Sequence, residues 1–246
     1  MIATPALRPW IADVTLVRPD KRLPVAHLPD TATALVYRRT GLRDGDVRVV
    51  GPRSRASYHP GKDLPVCVRI RLRPGTAGAV LGVPVDELRD DGLRLTELWG
   101  DRARRLETRL NELNDPELIL RRFEESLMEQ LDDVADPPSR LVREAIRSLS
   151  TTEERFGVLA RRLLVSERRL RDLFTSQVGL SPKRFARIER VRRVLAGAET
   201  GDWARLASDA GYYDQSHMTA DFRALVGASP AAFAAGRLPA ATPCEP

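Results

Sequence analysis

Apolar and polar residues alternate with the period of a β-strand in the first third of the chain. From Val66 to Leu72 every second residue is apolar, and arginines occupy two of the positions between them. This is the pattern of a strand with one buried face. A second β-type run covers Val47 to Val50, and prolines and glycines separate such runs up to Leu72. The pattern predicts a small, mostly antiparallel β-rich domain.

The apolar spacing becomes helical after Pro74. The predicted segments are Ala77 to Leu81, Val85 to Leu88, Arg102 to Leu113 and Pro116 to Leu131. In the last of these, the buried stripe is expected to consist of Leu118, Phe123, Leu127 and Leu131. A proline is well tolerated in the first turn of a helix, which agrees with a start at Pro116. The N-terminal region is therefore predicted to be a β-rich domain with trailing helices.

A Pro137-Pro138 pair within an acidic stretch marks a domain boundary, because two prolines bar an uninterrupted helix. We predict a regulatory or assembly domain at 1–134, a linker at 135–139, a helical domain at 140–238 and a disordered tail at 239–246. The seven predicted helices of the second domain are Arg140 to Leu149, Glu154 to Leu163, Glu167 to Gln177, Pro182 to Ala198, Trp203 to Ala210, Gln215 to Val226 and Pro230 to Ala235. The expected fold class is α+β, with an all-α C-terminal domain.

One six-residue pattern occurs twice in this helical region, 48 residues apart. The copies are Leu170, Phe174, Gly179, Ser181, Pro182, Phe185 and Met218, Phe222, Gly227, Ser229, Pro230, Phe233. Each has an apolar pair on one helix face, a glycine that ends the helix, and a Ser-Pro pair that starts the next. The sequence therefore predicts a duplicated helix, turn, helix unit.

The residues before each copy have the spacing of a DNA-reading helix-turn-helix. Ala207 lies four residues before Gly211, which allows two helices to cross closely. In the first copy Ala160 is present, but Leu164 replaces the glycine. Ser166 and Asp214 are predicted to cap the two following helices, which would be the recognition helices.

The positive charge is concentrated at the first copy. The whole chain carries a formal charge of +6. Residues 150 to 199 hold twelve basic and six acidic side chains, a local +6, whereas residues 200 to 237 hold three and four, a local −1. A basic region of this kind favours a polyanionic partner. Lys183, Arg184 and Arg187, at the start of the helix between the units, are candidate contacts to DNA phosphates.

These residues resemble the DNA-binding domain of the AraC/XylS transcription regulators. The resemblance covers about 100 residues, from Pro138 to Leu238, and is strongest from Gly211 to Met218. It implies two helix-turn-helix units on one chain, the first the more discriminating. By residue-level match, the base-contacting positions fall on Arg168, Arg171, Asp172, Gln215, Ser216 and Thr219. Arginine suits guanine, a carboxylate suits cytosine and glutamine suits adenine.

The sequence leaves the role of the N-terminal domain open. It is either a sensor of a small-molecule effector or a module for homodimerisation or contact with RNA polymerase. Side chains able to line an effector pocket are Trp10, His27, Tyr37, Tyr58, His59 and Trp99. No phosphate loop, nucleophile elbow or metal-binding spacing is found, so neither an enzyme nor a cofactor is expected. The lack of long apolar runs predicts a cytoplasmic protein without membrane contact. The resemblance to AraC/XylS regulators implies a bacterial transcription regulator, and activation is the direction of regulation that it implies.

Overall fold

The computed structural model describes residues 4–17, 24–41, 44–61, 64–132, 139–151 and 154–242 of the 246. Its N-terminal part is built on a five-stranded antiparallel sheet with the order β1-β6-β3-β4-β7. The strands of this sheet are β1 Ile11–Val17, β3 Ala34–Arg39, β4 Gly45–Val50, β6 Val66–Leu72 and β7 Gly92–Arg94. A separate two-stranded ribbon pairs β2 Val25–His27 with β5 Ser57–His59. The predicted β-rich domain is confirmed.

The alternation in β6 has the predicted consequence for burial. Val68, Ile70 and Leu72 are fully buried, whereas Arg69 and Arg71 are only half-buried. Strand β3 lies between β4 and β6, and Leu35 pairs with Val49 on one side and with Ile70 on the other. Burial of apolar side chains in the central strands fixes the register, because a one-residue slip would turn them towards solvent.

Four helices cover one face of this sheet. They are α1 Ala77–Leu81, α2 Leu95–Trp99, α3 Asp101–Asn111 and α4 Pro116–Asp132, with a 3-10 turn at Val85–Leu88. The predicted stripe of α4 was wrong at Leu118, which is exposed, while Ile119 is buried with Phe123 and Leu127. Position 119 lies four residues before Phe123 and so shares its face of the helix, whereas position 118 is five residues away.

The C-terminal part contains seven α-helices in the described residues, as predicted. They are α5 Arg140–Thr151, α6 Phe156–Arg162, α7 Glu167–Val178, α8 Pro182–Ala196, α9 Trp203–Asp209, α10 Gln215–Val226 and α11 Pro230–Ala234. Helix α6 begins two residues later than predicted, because Glu154 lies outside it and accepts hydrogen bonds from Ser148 and Arg162. The predicted linker lies, except for Ser139, outside the described residues.

Two apolar cores correspond to the two parts of the chain. One gathers buried residues between Leu7 and Leu127, and the other gathers residues between Val142 and Val226. We call the described residues up to 132 the N-terminal unit and those from 139 onwards the C-terminal unit. None of the helices in the described ranges is long and apolar enough to span a bilayer.

The N-terminal unit docks onto the C-terminal unit through its ribbon. The amide of Ala56 donates to the carbonyl of Leu225 at 2.7 Å, and the Tyr58 hydroxyl donates to the carbonyl of Val226 at 2.7 Å. The amide of Thr242 donates to the carbonyl of Tyr58 at 2.8 Å. The tail from 239 was expected to be disordered; up to Thr242 it instead lies against β5, because its backbone finds partners on this edge strand.

A second docking contact is ionic and holds α8. Asp30 accepts from Arg71 at 2.6 Å and forms an ion pair with Arg192 of α8 at 2.9 Å. Beside it, the Thr31 hydroxyl donates to Glu189 at 2.6 Å. Burial alone would raise the pKa of Asp30, but the hydrogen bond and charge of Arg71, together with Arg192, hold this pKa below its ordinary value. Asp30 therefore stays ionised and joins the sheet to the helix between the two repeats.

Candidate DNA-binding interface

The two repeats fold into two helix-turn-helix units with matching ends. The first unit consists of α6 and α7, and the second of α9 and α10. The predicted caps are confirmed, since Ser166 Oγ accepts from the amide of Arg169 and Asp214 Oδ1 accepts from the amide of His217. Helix α7 ends at Gly179 and α10 at Gly227, both in the left-handed conformation. Such caps satisfy backbone groups that a helix end leaves free.

Both units pack on their own phenylalanines. Phe174 contacts Phe185 edge-to-face at a centroid distance of 5.4 Å, and Phe222 contacts Phe233 in the same way at 5.9 Å. Phe174, Phe185 and Phe222 are fully buried. The phenylalanines of the duplicated pattern therefore hold each recognition helix against the helix that follows it.

The two turns differ in a way that the sequence indicated only in part. Leu164 takes the left-handed conformation with φ of 57°, at the position where the second unit has Gly211 with φ of 76°. Leu164 is also 92% exposed. From that position the first unit reaches its cap at Ser166 in two residues, whereas the second needs three to reach Asp214. The additional residue is Tyr213, which is 97% exposed.

The first recognition helix presents its charged candidates to solvent. Arg168 and Asp172 are paired at 3.9 Å, with 92% and 66% of their side chains exposed. Arg171 pairs with Glu167 one turn earlier, and both are about half exposed. Ion pairs on a helix surface are worth only about 0.3–0.5 kcal/mol, so a base edge competes readily for these arginines. Helix α7 thus offers both donors and acceptors on one accessible face.

The second recognition helix presents a smaller, uncharged set of candidates. Gln215 and Ser216 are exposed in its first turn, and Thr219 is half-buried. Met218 and Phe222 lie in the core, as expected. These three candidates are uncharged, and the cation on this face is the exposed Arg223, one turn after Thr219. Helix α7 has two arginines among its candidates, so we expect it to attract DNA more strongly.

The three phosphate candidates on α8 have three different surroundings. Lys183 is exposed. Arg184 is half-buried and faces a cleft beside the N-terminal unit. Arg187 donates to Asp221 of α10 at 2.7 Å, so its guanidinium is engaged within the protein. The three side chains are therefore not equivalent candidates for phosphate contacts, and Lys183 has the most accessible cation of the three.

The partner of Arg187 was missed by the sequence reasoning. Asp221 is 7% exposed and lies between Arg187 and Arg190, whose Nη2 is 3.6 Å from Asp221 Oδ2. The Arg190 guanidinium also stacks on the Tyr212 ring at 4.8 Å. An acidic residue beside Phe222 on an apolar helix face is the signal that could have revealed this ionic joint between α8 and α10.

The aromatic candidates for an effector pocket lie at several places in the N-terminal unit. Tyr37 is buried in the sheet core and donates to Asn111 at 2.8 Å, and Trp99 donates to the carbonyl of Val80. His27 and His59 contact each other on the ribbon at a ring distance of 5.2 Å, and Trp10 packs on the sheet core. Tyr58 is used in docking. These six side chains therefore serve several separate sets of contacts.

Comparison with known proteins identifies the C-terminal part. Residues 159–236 match a family described as a helix-turn-helix domain, which is of the AraC type. No curated protein matches the chain. The match covers helices α7 to α11 and so includes both copies of the duplicated pattern.

Solved structures resemble the chain distantly. The C-terminal domain of AraT, a response regulator from Geobacillus stearothermophilus, is 19% identical, with a TM-score of 0.38 over 42% of this chain and 89% of that one. ToxT from Vibrio cholerae O395 is 12% identical, with a TM-score of 0.46 over 90% and 96%. The family match by itself shows that the C-terminal domain belongs to the AraC-type helix-turn-helix domains, which supports a DNA-binding transcription regulator.

Proposed function

We propose that this protein is a sequence-specific regulator that reads two successive major-groove segments of double-stranded DNA with α7 and α10. The observation that supports this most directly is the pair of capped helices with exposed polar side chains, held on a duplicated frame. Helix α8 has fifteen residues, which corresponds to about 22 Å at 1.5 Å per residue. A helix of this length lies between the two helix-turn-helix units, and successive major-groove segments are about 34 Å apart.

Helix α7 is proposed to supply most of the base discrimination. Arg168 and Arg171 are suited to guanine, and Asp172 accepts from cytosine N4. Gln215, Ser216 and Thr219 on α10 are proposed to make the weaker set of base contacts. Lys183 is the proposed phosphate contact, because its cation is exposed on the helix between the units. Arg184 and Arg187 are less available to phosphates, because Arg184 is half-buried and Arg187 is paired with Asp221.

The N-terminal unit is proposed to set the relative position of the two recognition helices. It contacts α10, the second recognition helix, through Ala56 and Tyr58. It contacts α8, the helix between the two helix-turn-helix units, through Asp30 and Thr31. The C-terminal end of α7 also packs near Val85, since a Cβ added at Gly179 would lie 2.8 Å from the Val85 carbonyl oxygen. Because the N-terminal unit contacts α7, α8 and α10, a change in its position would change how the recognition helices bind DNA.

The direction of regulation is a finer proposal. Activation through RNA polymerase follows from the resemblance to AraC/XylS regulators, and the exposed turn residues Leu164 and Tyr213 offer apolar surface for a protein contact. Homodimerisation is the alternative use of such a surface.

The test is selection of bound sequences from a random duplex library by the full-length protein at a stated salt concentration. We expect an asymmetric motif with two blocks about ten base pairs apart. The Arg168→Ala, Arg171→Ala double variant should lose the block that α7 reads and retain the other. If the wild type enriches no sequence and its binding disappears at moderate salt, the proposed function is wrong.

A further inference from the structure

A cleft of about 460 Å³ lies between the N-terminal unit and the first turn of α8. Three arginines reach it from the two units. Arg53 and Arg55 come from the segment between β4 and β5, and Arg184 comes from α8. The other lining residues are Ser54, Ala56, Ser57 and Asp90. The cleft is thus polar, shared between the two units and lined by more cations than anions.

The three arginines of this cleft differ in exposure, since Arg53 and Arg184 are half-buried and Arg55 is exposed. The Nε of Arg53 is buried and has no hydrogen-bond acceptor among the described residues. Within the described ranges, none of the three arginine side chains forms a hydrogen bond or an ion pair. Burial lowers the pKa of Arg53, and the neighbouring charge of Arg69 lowers it further, while Asp30 and Asp90 act in the opposite direction. A buried donor without an acceptor is unfavourable, and an anion beside the half-buried Arg53 would supply the missing acceptor.

The one carboxylate that lines the cleft is already used. Asp90 accepts from the amide of Ser54 at 2.6 Å and from the Ser54 hydroxyl at 2.7 Å. Ser57 is held by His59 at 3.0 Å. The nearest other acid that acts on Arg53, Asp30, is bound by Arg71 and Arg192. The lining of the cleft therefore carries three arginines and one carboxylate, Asp90, which is already hydrogen-bonded to Ser54.

The position of the cleft favours a small ligand over DNA. Arg184 follows the C-terminal cap of α7, whereas the base-reading candidates lie in its first half. A twelve-residue helix is about 18 Å long, so the cleft is at the end of α7 away from its first turn. Ala56 is the only apolar lining residue. Such a polar lining suits a compact anion and does not suit a long hydrocarbon chain, which needs apolar contacts.

We propose that this cleft binds a small organic anion with at least two negative charges, of the phosphate ester or polycarboxylate class, between Arg53 of the N-terminal unit and Arg184 of α8. Arginine recognises both groups through paired N–H donors in a planar fork. Because the anion contacts both units, its binding stabilises the docked arrangement. This inference does not depend on DNA binding, and its test requires no DNA.

The test is titration of the full-length protein with inorganic phosphate and, separately, with citrate, followed by calorimetry and by thermal unfolding at constant ionic strength. We expect saturable binding of at least one probe and a rise in Tm of a few degrees. The stronger probe indicates whether phosphate or carboxylate is the preferred group. Arg53→Gln and Arg184→Gln should each weaken binding at least tenfold, since each removes one side of the site.

Arg121→Gln is the matched control, because Arg121 is exposed on α4 and lies outside the cleft. It should bind as the wild type does. Arg184→Gln keeps the test valid if the more buried Arg53 variant fails to fold. Equal stabilisation of the wild type, both cleft variants and the control would show a general salt effect and overturn the proposal. Absence of binding by either probe at millimolar concentration would overturn it as well.

Discussion

The two helix-turn-helix units share a frame and differ in what is attached to it. Both have a capped recognition helix, a left-handed glycine at its end and an edge-to-face phenylalanine pair. The first adds a recognition face with two arginine–carboxylate pairs and a leucine in the left-handed turn position. The second has a glycine there, and its base-contact candidates are uncharged. The caps, terminal glycines and phenylalanine pairs therefore define the fold that both helix-turn-helix units share, and the other positions differ between them.

The units also differ in how they are held. Helix α7 presses its C-terminal end against the N-terminal unit, whereas α10 is tied to α8 by the buried carboxylate of Asp221. The residue of α7 that corresponds to Asp221, 48 positions earlier, is the half-buried Leu173. Helix α10 also accepts hydrogen bonds from Ala56 and Tyr58 of the N-terminal unit. The ionic joint to α8 is thus what the second helix-turn-helix unit adds, since the matched position of α7 carries an apolar side chain. This comparison can be tested by changing matched positions in the two units.

The largest difference is expected at the two glycine caps. Gly179 and Gly227 have φ of 79° and 82°, so alanine at either position costs about 1–2 kcal/mol for the left-handed backbone. At Gly179 the new Cβ also lies 2.8 Å from the Val85 carbonyl oxygen and 3.0 Å from Pro52 Cγ. Overpacking of this kind adds roughly 1–3 kcal/mol. Gly179→Ala should therefore lower the free energy of unfolding by clearly more than Gly227→Ala.

Urea unfolding followed by circular dichroism measures both variants. Gly227→Ala is the control for backbone strain, since its Cβ meets only Pro239 Cγ at 3.3 Å. Equal losses in the two variants would mean that the N-terminal unit does not press on α7, and the proposed role of that unit in positioning the recognition helices would lose its main support.

The ionic joint of the second unit gives the next effect. Asp221→Ala leaves Arg187 and Arg190 without their carboxylate, and the Arg190 Nε is buried. Removing one member of a fully buried pair costs about 3–5 kcal/mol. Here the arginines are about one third exposed, so we expect about 2 kcal/mol in the free energy of unfolding. The corresponding Leu173→Ala change removes packing only, so salt should alter its effect less.

A double variant sharpens this prediction. In Asp221→Leu, Arg187→Leu, an apolar pair replaces the charges, as at the first unit, and part of the lost stability should return. Chemical unfolding at low and high salt separates the two variants. If Asp221→Ala is as stable as the wild type at low salt, α8 and α10 are held by other contacts.

Base reading should divide between the units in the same sense. Arg171 corresponds to Thr219 in the repeat, 48 residues later. Arg171→Ala should weaken binding to the selected sequence by about 1–3 kcal/mol, with little change on random DNA. Thr219→Ala should cost less, because its side chain is half-buried and uncharged. Fluorescence anisotropy with both duplexes measures these differences.

Lys183→Ala is the control for a contact that carries no sequence information. It should weaken binding to selected and random DNA about equally and lower the salt slope by about one unit. If Arg171→Ala behaves in this same way, Arg171 contacts the backbone and the assignment of α7 as the dominant reader fails.

Local sequence signals predicted the frame of the molecule well. Ser166 and Asp214 cap helices, and Gly179 and Gly227 end them, because these residues act on the backbone within a few positions. Contacts distant in sequence could not be read in this way. The docking of Tyr58 on Val226, the Asp30 pair with Arg192 and the cleft around Arg53 each join segments more than 100 residues apart. Only the folded chain brings them together.

The smallest expected effect is at the turn, and its sign differs between the units. Leu164 is strained by its positive φ and gains nothing from packing, since it is exposed. Leu164→Gly should therefore raise the free energy of unfolding by about 1 kcal/mol, and Gly211→Ala should lower it by a similar amount. Thermal and urea unfolding measure both. A loss of stability in Leu164→Gly would contradict the strain argument. If the variant is more stable yet less able to activate transcription, the leucine has been retained for a protein contact at this turn.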